Sequence, residues 1–153
     1  MLELMRKTAF FAGISDKSMK EILVFSELVT FNAGAQAIVE GDARHHLDLL
    51  LLVEGEVEVV TKFSPLPSAM AFNLHAISSE LFGEIAWILG GKRSASVKCK
   101  TKSKFIKIDG GRLFDYCQSH PTAGVELMTR IAAVMAQRVI HLSEQLKNKD
   151  LFL

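Results

Sequence analysis

The stretch Phe82-Gly83-Glu84-Ile85-Ala86-Trp87-Ile88-Leu89-Gly90-Gly91-Lys92-Arg93-Ser94-Ala95-Ser96-Val97 holds the residues whose types and spacing are best suited to chemistry. It reads as a glycine, a short amphipathic turn of helix, a Gly-Gly break and an arginine that opens a strand. Gly83 lets a ligand approach the backbone at a helix N-terminus, and the free amides there, roughly Glu84 to Ala86, suit an anion. Arg93 follows the turn and can fold back over that N-terminus, where a planar guanidinium matches two phosphate oxygens. A bare phosphate would repel Glu84, but a carboxylate beside it can accept a hydrogen bond from a neighbouring sugar hydroxyl. Amides and Arg93 for phosphate, with Glu84 for ribose, describe a nucleotide with a singly charged phosphate. The competing reading is a structural ion pair between Glu84 and Arg93 across the turn.

Other candidates carry less. His45-His46 with Asp48 invites a metal, but adjacent histidines on an extended segment point to opposite faces, and no Cys/His cluster lies nearby in sequence. No metal and no cofactor is expected. Trp87 is expected to pack rather than to stack on a base, and Tyr116, Cys117 and His120 to serve as core and capping residues. Ser94 has no base near it in sequence, and the phosphate-binding group offers no nucleophile. The chain is expected not to be an enzyme.

The elements that must position these residues fall into three zones within one expected domain, 1–153. Residues 1–27 carry helical signals, with Ser15 or Asp16 able to cap a helix running through Met19, Ile22, Leu23 and Phe25. Residues 28–108 show short apolar runs separated by Gly, Pro, Asn and Asp, the mark of an antiparallel roll or barrel. Within this zone Glu54-Gly55-Glu56-Val57-Glu58-Val59 predicts an alternating strand, valines on one face and carboxylates on the other. A second alternating strand is expected at 95–101, with Lys98, Lys100, Lys102 and Lys104 sharing a solvated face opposite the glutamates. Ser64-Pro65-Leu66-Pro67-Ser68 predicts a hairpin tip.

Residues 109–153 return to helical periodicity, with Pro121 in a break before a long last helix. There Val125, Met128, Ala132, Met135, Val139, Leu142 and Leu146 form a heptad seam, and Leu127, Ile131 and Val134 form a second stripe beside it. Two apolar stripes need two partners: the strand domain for one and, for the other, a copy of the same helix in a homodimer. Both stripes packing within one chain is the alternative.

Net charge is +1, from 18 Lys+Arg and 17 Asp+Glu, so nothing global favours nucleic acid or an acidic membrane. Two lone cysteines, Cys99 and Cys117, fit reduced residues of a cytoplasmic protein. The apolar run after Met5-Arg6-Lys7 is too short for a convincing signal peptide, and none approaches the ~18 apolar residues of a membrane span.

Segment 82–97 resembles, without gaps, the phosphate-binding cassette of cyclic-nucleotide-binding domains, the family of the catabolite activator proteins and the protein kinase A regulatory subunits. The shared pattern is F-G-E-hydrophobic-A, a short spacer, then R-S/T/A-A-x-V. The similarity extends to glycine turns at Glu40-Gly41-Asp42 and Glu54-Gly55-Glu56-Val57, to the N-terminal Phe10-Phe11 region, and to a long helix from Pro121. It implies a mainly β fold with flanking helices: an antiparallel jelly-roll-like β-roll with N-terminal helices, a short cassette helix and a long C-terminal helix. It further implies that Gly83, Glu84, Ile85, Ala86, Arg93 and Ser94 bind the phosphate and ribose of cAMP or cGMP. Met135-Ala136-Gln137-Arg138-Val139 resembles the activator's dimer helix, which places Arg138, Leu142 and Ser143, with Val59, near the base. Lys92 stands where the family often has proline and offers a further cation near the phosphate. The expectation is a regulatory sensor that moves its last helix, has an unknown effector and binds no DNA directly. The alternative is a dimerisation module with a vestigial pocket.

Overall fold

The computed structural model describes residues 1–43, 47–61, 74–77 and 81–150. Two short helices, α1 (Leu2–Arg6) and α2 (Asp16–Leu23), open the chain. Ser15 is the N-cap of α2, its hydroxyl accepting from Ser18 N at 3.1 Å. The helix stops at Leu23, before the Phe25 that sequence periodicity included, and strand β1 (Ser26–Phe31) starts two residues earlier than the zone boundary.

The strands β1, β2 (Gln36–Ile38), β3 (Leu49–Glu54), β4 (Glu56–Val60), β5 (Leu74–Ile77), β6 (Leu81–Phe82), β7 (Ser96–Cys99) and β8 (Ser103–Ile108) form two four-stranded sheets. One runs β1-β8-β3-β6 and the other β2-β7-β4-β5, with every pairing antiparallel. This is the expected roll. Helix α3 (Glu84–Leu89) interrupts the strands, and α4 (Gly110–Ser119) and α5 (Pro121–Asp150) close the chain. Among the described residues, no helix is long and apolar enough to cross a membrane.

Strand β3 explains the layering. A run of four leucines, Leu49 to Leu52, would be unreasonable on a sheet with one wet face, and all four are buried. Leu49 and Leu51 pack with Ile106, Ile108 and the helices; Leu50 and Leu52 pack with Phe105, Val57 and Val97 between the sheets. The helical layer contributes Met5, Phe11, Ile22, Leu113, Leu127 and Ile131, each at most 1% exposed.

Two strand expectations are corrected. The run from Glu54 to Val59 is not one strand: Gly55, at φ 107°, separates β3 from β4, and the chain passes from one sheet to the other. A Cβ there would collide with Ser103, so the close crossing needs glycine. The lysine row is likewise broken, because β7 ends at Cys99 and Lys104 lies on β8. Lysines and glutamates still face one another pairwise, Lys98 opposite Glu58 in register and Lys104 bonded to Glu54 at 2.6 Å. The hairpin tip expected at 64–68 lies outside the described residues, as do His45 and His46; among the described residues no acidic, Cys and His groups are placed to hold a metal.

Asp109 caps α4 by accepting from Arg112 N at 2.9 Å, and Pro121 occupies the first position of α5, where its missing N–H costs nothing. In α5 the stripe Leu127–Ile131 is buried, whereas Val125, Met128 and Val139 of the heptad seam are 67%, 39% and 63% exposed. The single chain therefore packs one stripe and leaves the seam largely uncovered.

Candidate functional site

Strand β6 delivers the chain to Gly83, which takes φ 91° as N-cap of α3. A Cβ at Gly83 would meet the Arg93 guanidinium and, at 2.8 Å, the Asp48 carbonyl oxygen. Arg93 does fold back as the spacing predicts: Nη1 donates to Gly83 O at 3.3 Å and Nη2 to Asp48 O at 2.7 Å. Its backbone is clamped by the turn at Gly41, through Gly41 N to Arg93 O and Arg93 N to Asp42 O, both 2.9 Å. Glu40 N donates to Ser96 Oγ at 2.9 Å beside them. The segment that carries Arg93 is thus fixed to the roll by backbone hydrogen bonds.

Glu84 is 1% exposed, and its carboxylate accepts from Arg138 of α5 rather than pairing with Arg93. The structural pairing weighed at the sequence level therefore exists with a different cation, 54 residues away in the chain. Arg138 also donates to Leu81 O and lies over the Phe82 ring, 5.2 Å from its centroid. A buried carboxylate is costly to desolvate unless it keeps a hydrogen bond, and here the Arg138 guanidinium supplies one.

These residues surround a cavity of about 510 Å³. Its wall includes Gly83, Glu84, Ile85, Ala86, Arg93 and Ser94 from the cassette, Val59 from β4, and Arg138 and Leu142 from α5. Ser143 is not part of the wall; it is exposed and donates to Val139 O at 2.8 Å. Sequence reasoning did not assign Ile38, Thr61, Phe82, Ala95, Val97, Met135, Val139 or Leu146 to the site, yet they stand in its wall. The signal for the helix residues was present, since Met135, Val139, Leu142 and Leu146 recur at one face of α5. Ile38 and Val97 are brought together only by the β2–β7 pairing.

Trp87 does not line this cavity. Its indole Nε1 donates to Gly110 O at 2.7 Å, and its ring packs on the helical core. Lys92 faces the neighbouring hollow of about 360 Å³ between α3 and α4, not the cassette cavity, so the extra cation expected near the phosphate lies elsewhere.

The cavity joins a polar cassette wall to a largely apolar remainder. Arg93 and the first amides of α3 present positive charge, Glu84 and Arg138 a paired acceptor and donor, and aliphatic side chains the remainder.

A roll of two antiparallel sheets, a cassette helix between β6 and β7 and a long last helix define the fold of the cyclic-nucleotide-binding domains. Among solved structures the chain is similar to a cyclic nucleotide-binding domain from Methylobacillus flagellatus, with TM-score 0.80, 21% identity, and 97% of this chain and 81% of that one covered. A protein of Geobacter metallireducens named as a cyclic nucleotide-binding protein matches with TM-score 0.75, 25% identity and coverage of 90% and 96%. The regulatory domain of Toxoplasma gondii PKA, crystallised with cAMP, matches with TM-score 0.68, 14% identity and coverage of 92% and 48%. No protein-family model matches the chain, and no curated protein matches it in sequence.

Proposed function

We propose that this protein is a cyclic-nucleotide sensor, a binding module rather than an enzyme, that holds cAMP or cGMP in the cassette cavity. The observation that carries the reading is the convergence of Arg93, Glu84 and the N-terminal amides of α3 on one wall of a cavity whose other wall is α5. Arg93 and the α3 amides receive the cyclic phosphate, Glu84 accepts from the ribose hydroxyl, and Val59 and Leu142 meet the base. Solved structures of similar fold that hold cAMP support this ligand class.

Coupling follows from where the walls come from. A ligand touching both α3 and α5 binds more tightly when α5 is closed, and so draws the population toward that position. The exposed seam of α5 makes a second copy of the chain the partner best suited to register this movement, with a further protein as effector. The cytoplasm, with its reduced thiols, is the compartment this reading requires.

The test is isothermal titration of the folded, nucleotide-stripped protein with cAMP, cGMP and 5′-AMP. Saturable binding of a cyclic nucleotide at micromolar concentration or below, with 5′-AMP much weaker, supports the sensor. Silence from all three overturns it and leaves the dimerisation module with an unused pocket.

A further inference from the structure

Strand β8 carries a lysine on a face that is otherwise apolar around it. Lys107 alternates with Phe105 and lies in register with Leu50 of β3, and both of those side chains belong to the core between the sheets. Leu50 is in turn paired with Phe82, the residue before Gly83. On its other side Lys107 is in register with Glu27 of β1. One row across the sheet therefore runs from the edge strand to the start of the cassette, with a cation inside it.

The ammonium of Lys107 lies 2.6 Å from the Glu27 carboxylate and 3.7 Å from that of Asp48. The hydrogen bond with Glu27 and the Asp48 charge outweigh partial burial and raise its pKa above the ordinary 10.5, so it is charged at neutral pH. Asp48 is also the residue whose backbone carbonyl accepts from Arg93 Nη2 at 2.7 Å. One residue thus meets the cassette guanidinium through its main chain and Lys107 through its side chain. A carboxylate this near an anion site opposes the anion twice: it repels the incoming charge, and it competes for the guanidinium that must receive it. A cation drawn over that carboxylate offsets both effects.

Resting on the cyclic-nucleotide reading of the cavity, we infer that Lys107 is a positioning residue for the phosphate site and acts through Asp48. It occupies the Asp48 carboxylate and so keeps the Arg93 guanidinium available to the ligand.

The experiment is titration with cAMP and cGMP of the full chain as wild type, Lys107→Met, Lys107→Arg, Asp48→Asn and Asp48→Asn with Lys107→Met, with thermal melts on the same samples. Lys107→Met keeps a chain of similar length in the row and is expected to weaken binding by about threefold to fivefold, the scale of a partly exposed charge pair. Lys107→Arg should restore the affinity, because a positive charge over Asp48 is all that the role requires. In the Asp48→Asn background the same loss of Lys107 should cost under about twofold. An equal loss in both backgrounds would make Lys107 a cation acting on the phosphate directly. No loss in either, or a loss that Lys107→Arg fails to restore, would make it structural. Each of these results overturns the inference while leaving the sensor intact. If Lys107→Met does not fold, Lys107→Gln takes its place in both backgrounds. A folded wild type that binds neither nucleotide removes the sensor reading, and this inference with it.

Discussion

Arg138 of α5 donates to the carboxylate of Glu84, the first residue of α3. This contact joins the last helix of the chain to the helix whose N-terminus faces the cavity. It uses the residue that the ribose would share, so the geometry of the proposed binding wall and the docking of α5 depend on one carboxylate.

Removing one member of this pair should therefore cost more than removing both. Arg138→Ala leaves Glu84 buried without its cation and is expected to destabilise the fold by about 3–5 kcal/mol. Glu84→Gln with Arg138→Met should cost less than the sum of the single changes, a coupling of about 0.5–3 kcal/mol. Urea denaturation of the four proteins in the cycle measures it.

Arg93 donates to the carbonyls of Gly83 and Asp48 and stands in the cavity wall. Arg93→Ala is expected to weaken cyclic-nucleotide binding by about 2–5 kcal/mol, with a smaller effect on the melting temperature. Arg93→Lys should restore little, because an ammonium cannot present the fork that bridges two oxygens. Titration and thermal melts on the same samples separate the two effects. Loss of folding in Arg93→Ala without ligand binding in the wild type would make the residue structural.

The exposed half of the α5 seam gives a prediction about assembly. Val125 and Met128 lie outside the cavity wall and are 67% and 39% exposed. Val125→Glu with Met128→Glu should convert a dimer to a monomer by sedimentation while leaving the circular dichroism spectrum unchanged. A wild-type protein that sediments as a monomer at high micromolar concentration would remove the homodimer from the proposal.

The titrating groups predict opposite limbs of the stability profile. Burial pushes the Cys99 and Cys117 thiols above their ordinary 9.0 and the Tyr116 hydroxyl above 10.0. Each keeps its proton longer in the folded chain, so its contribution is full below the unfolded value and declines as pH rises past it. Asp16 runs the other way: its hydrogen bond with Arg6 holds it below 3.8, and its contribution is lost as pH falls through the folded value. Unfolding midpoints should be flat near neutrality and fall above about pH 9. Ellman's reagent should label both thiols slowly in the folded protein and quickly in urea.

How much of this was visible in the sequence depends on how far apart the partners lie. The cassette was legible because Gly83, the turn at Gly90 and Arg93 form a local unit whose geometry is written in consecutive residues. The last helix was legible because its periodicity runs unbroken from Val125 to Leu146. The change of sheet at Gly55 was hidden from the periodicity, since alternation of valines and glutamates continues on both sides of it, and only the family resemblance placed a glycine turn there. The partner of Glu84 was not legible either: a pattern nine residues long suggested Arg93, and only the packing of α5 supplies Arg138.

The core between the two sheets is composed, among the described residues, of strand residues and their immediate flanks, with no contribution from any helix. Leu50 and Leu52 belong to it, while their neighbours Leu49 and Leu51 serve the helical layer on the reverse side of the same strand. That interior is not sealed everywhere, because its members Ile38, Val59, Phe82 and Val97 also stand in the cavity wall opposite α5. Whatever fills the cavity therefore rests directly on the keel of the roll, and a change of occupant is felt by both sheets at once.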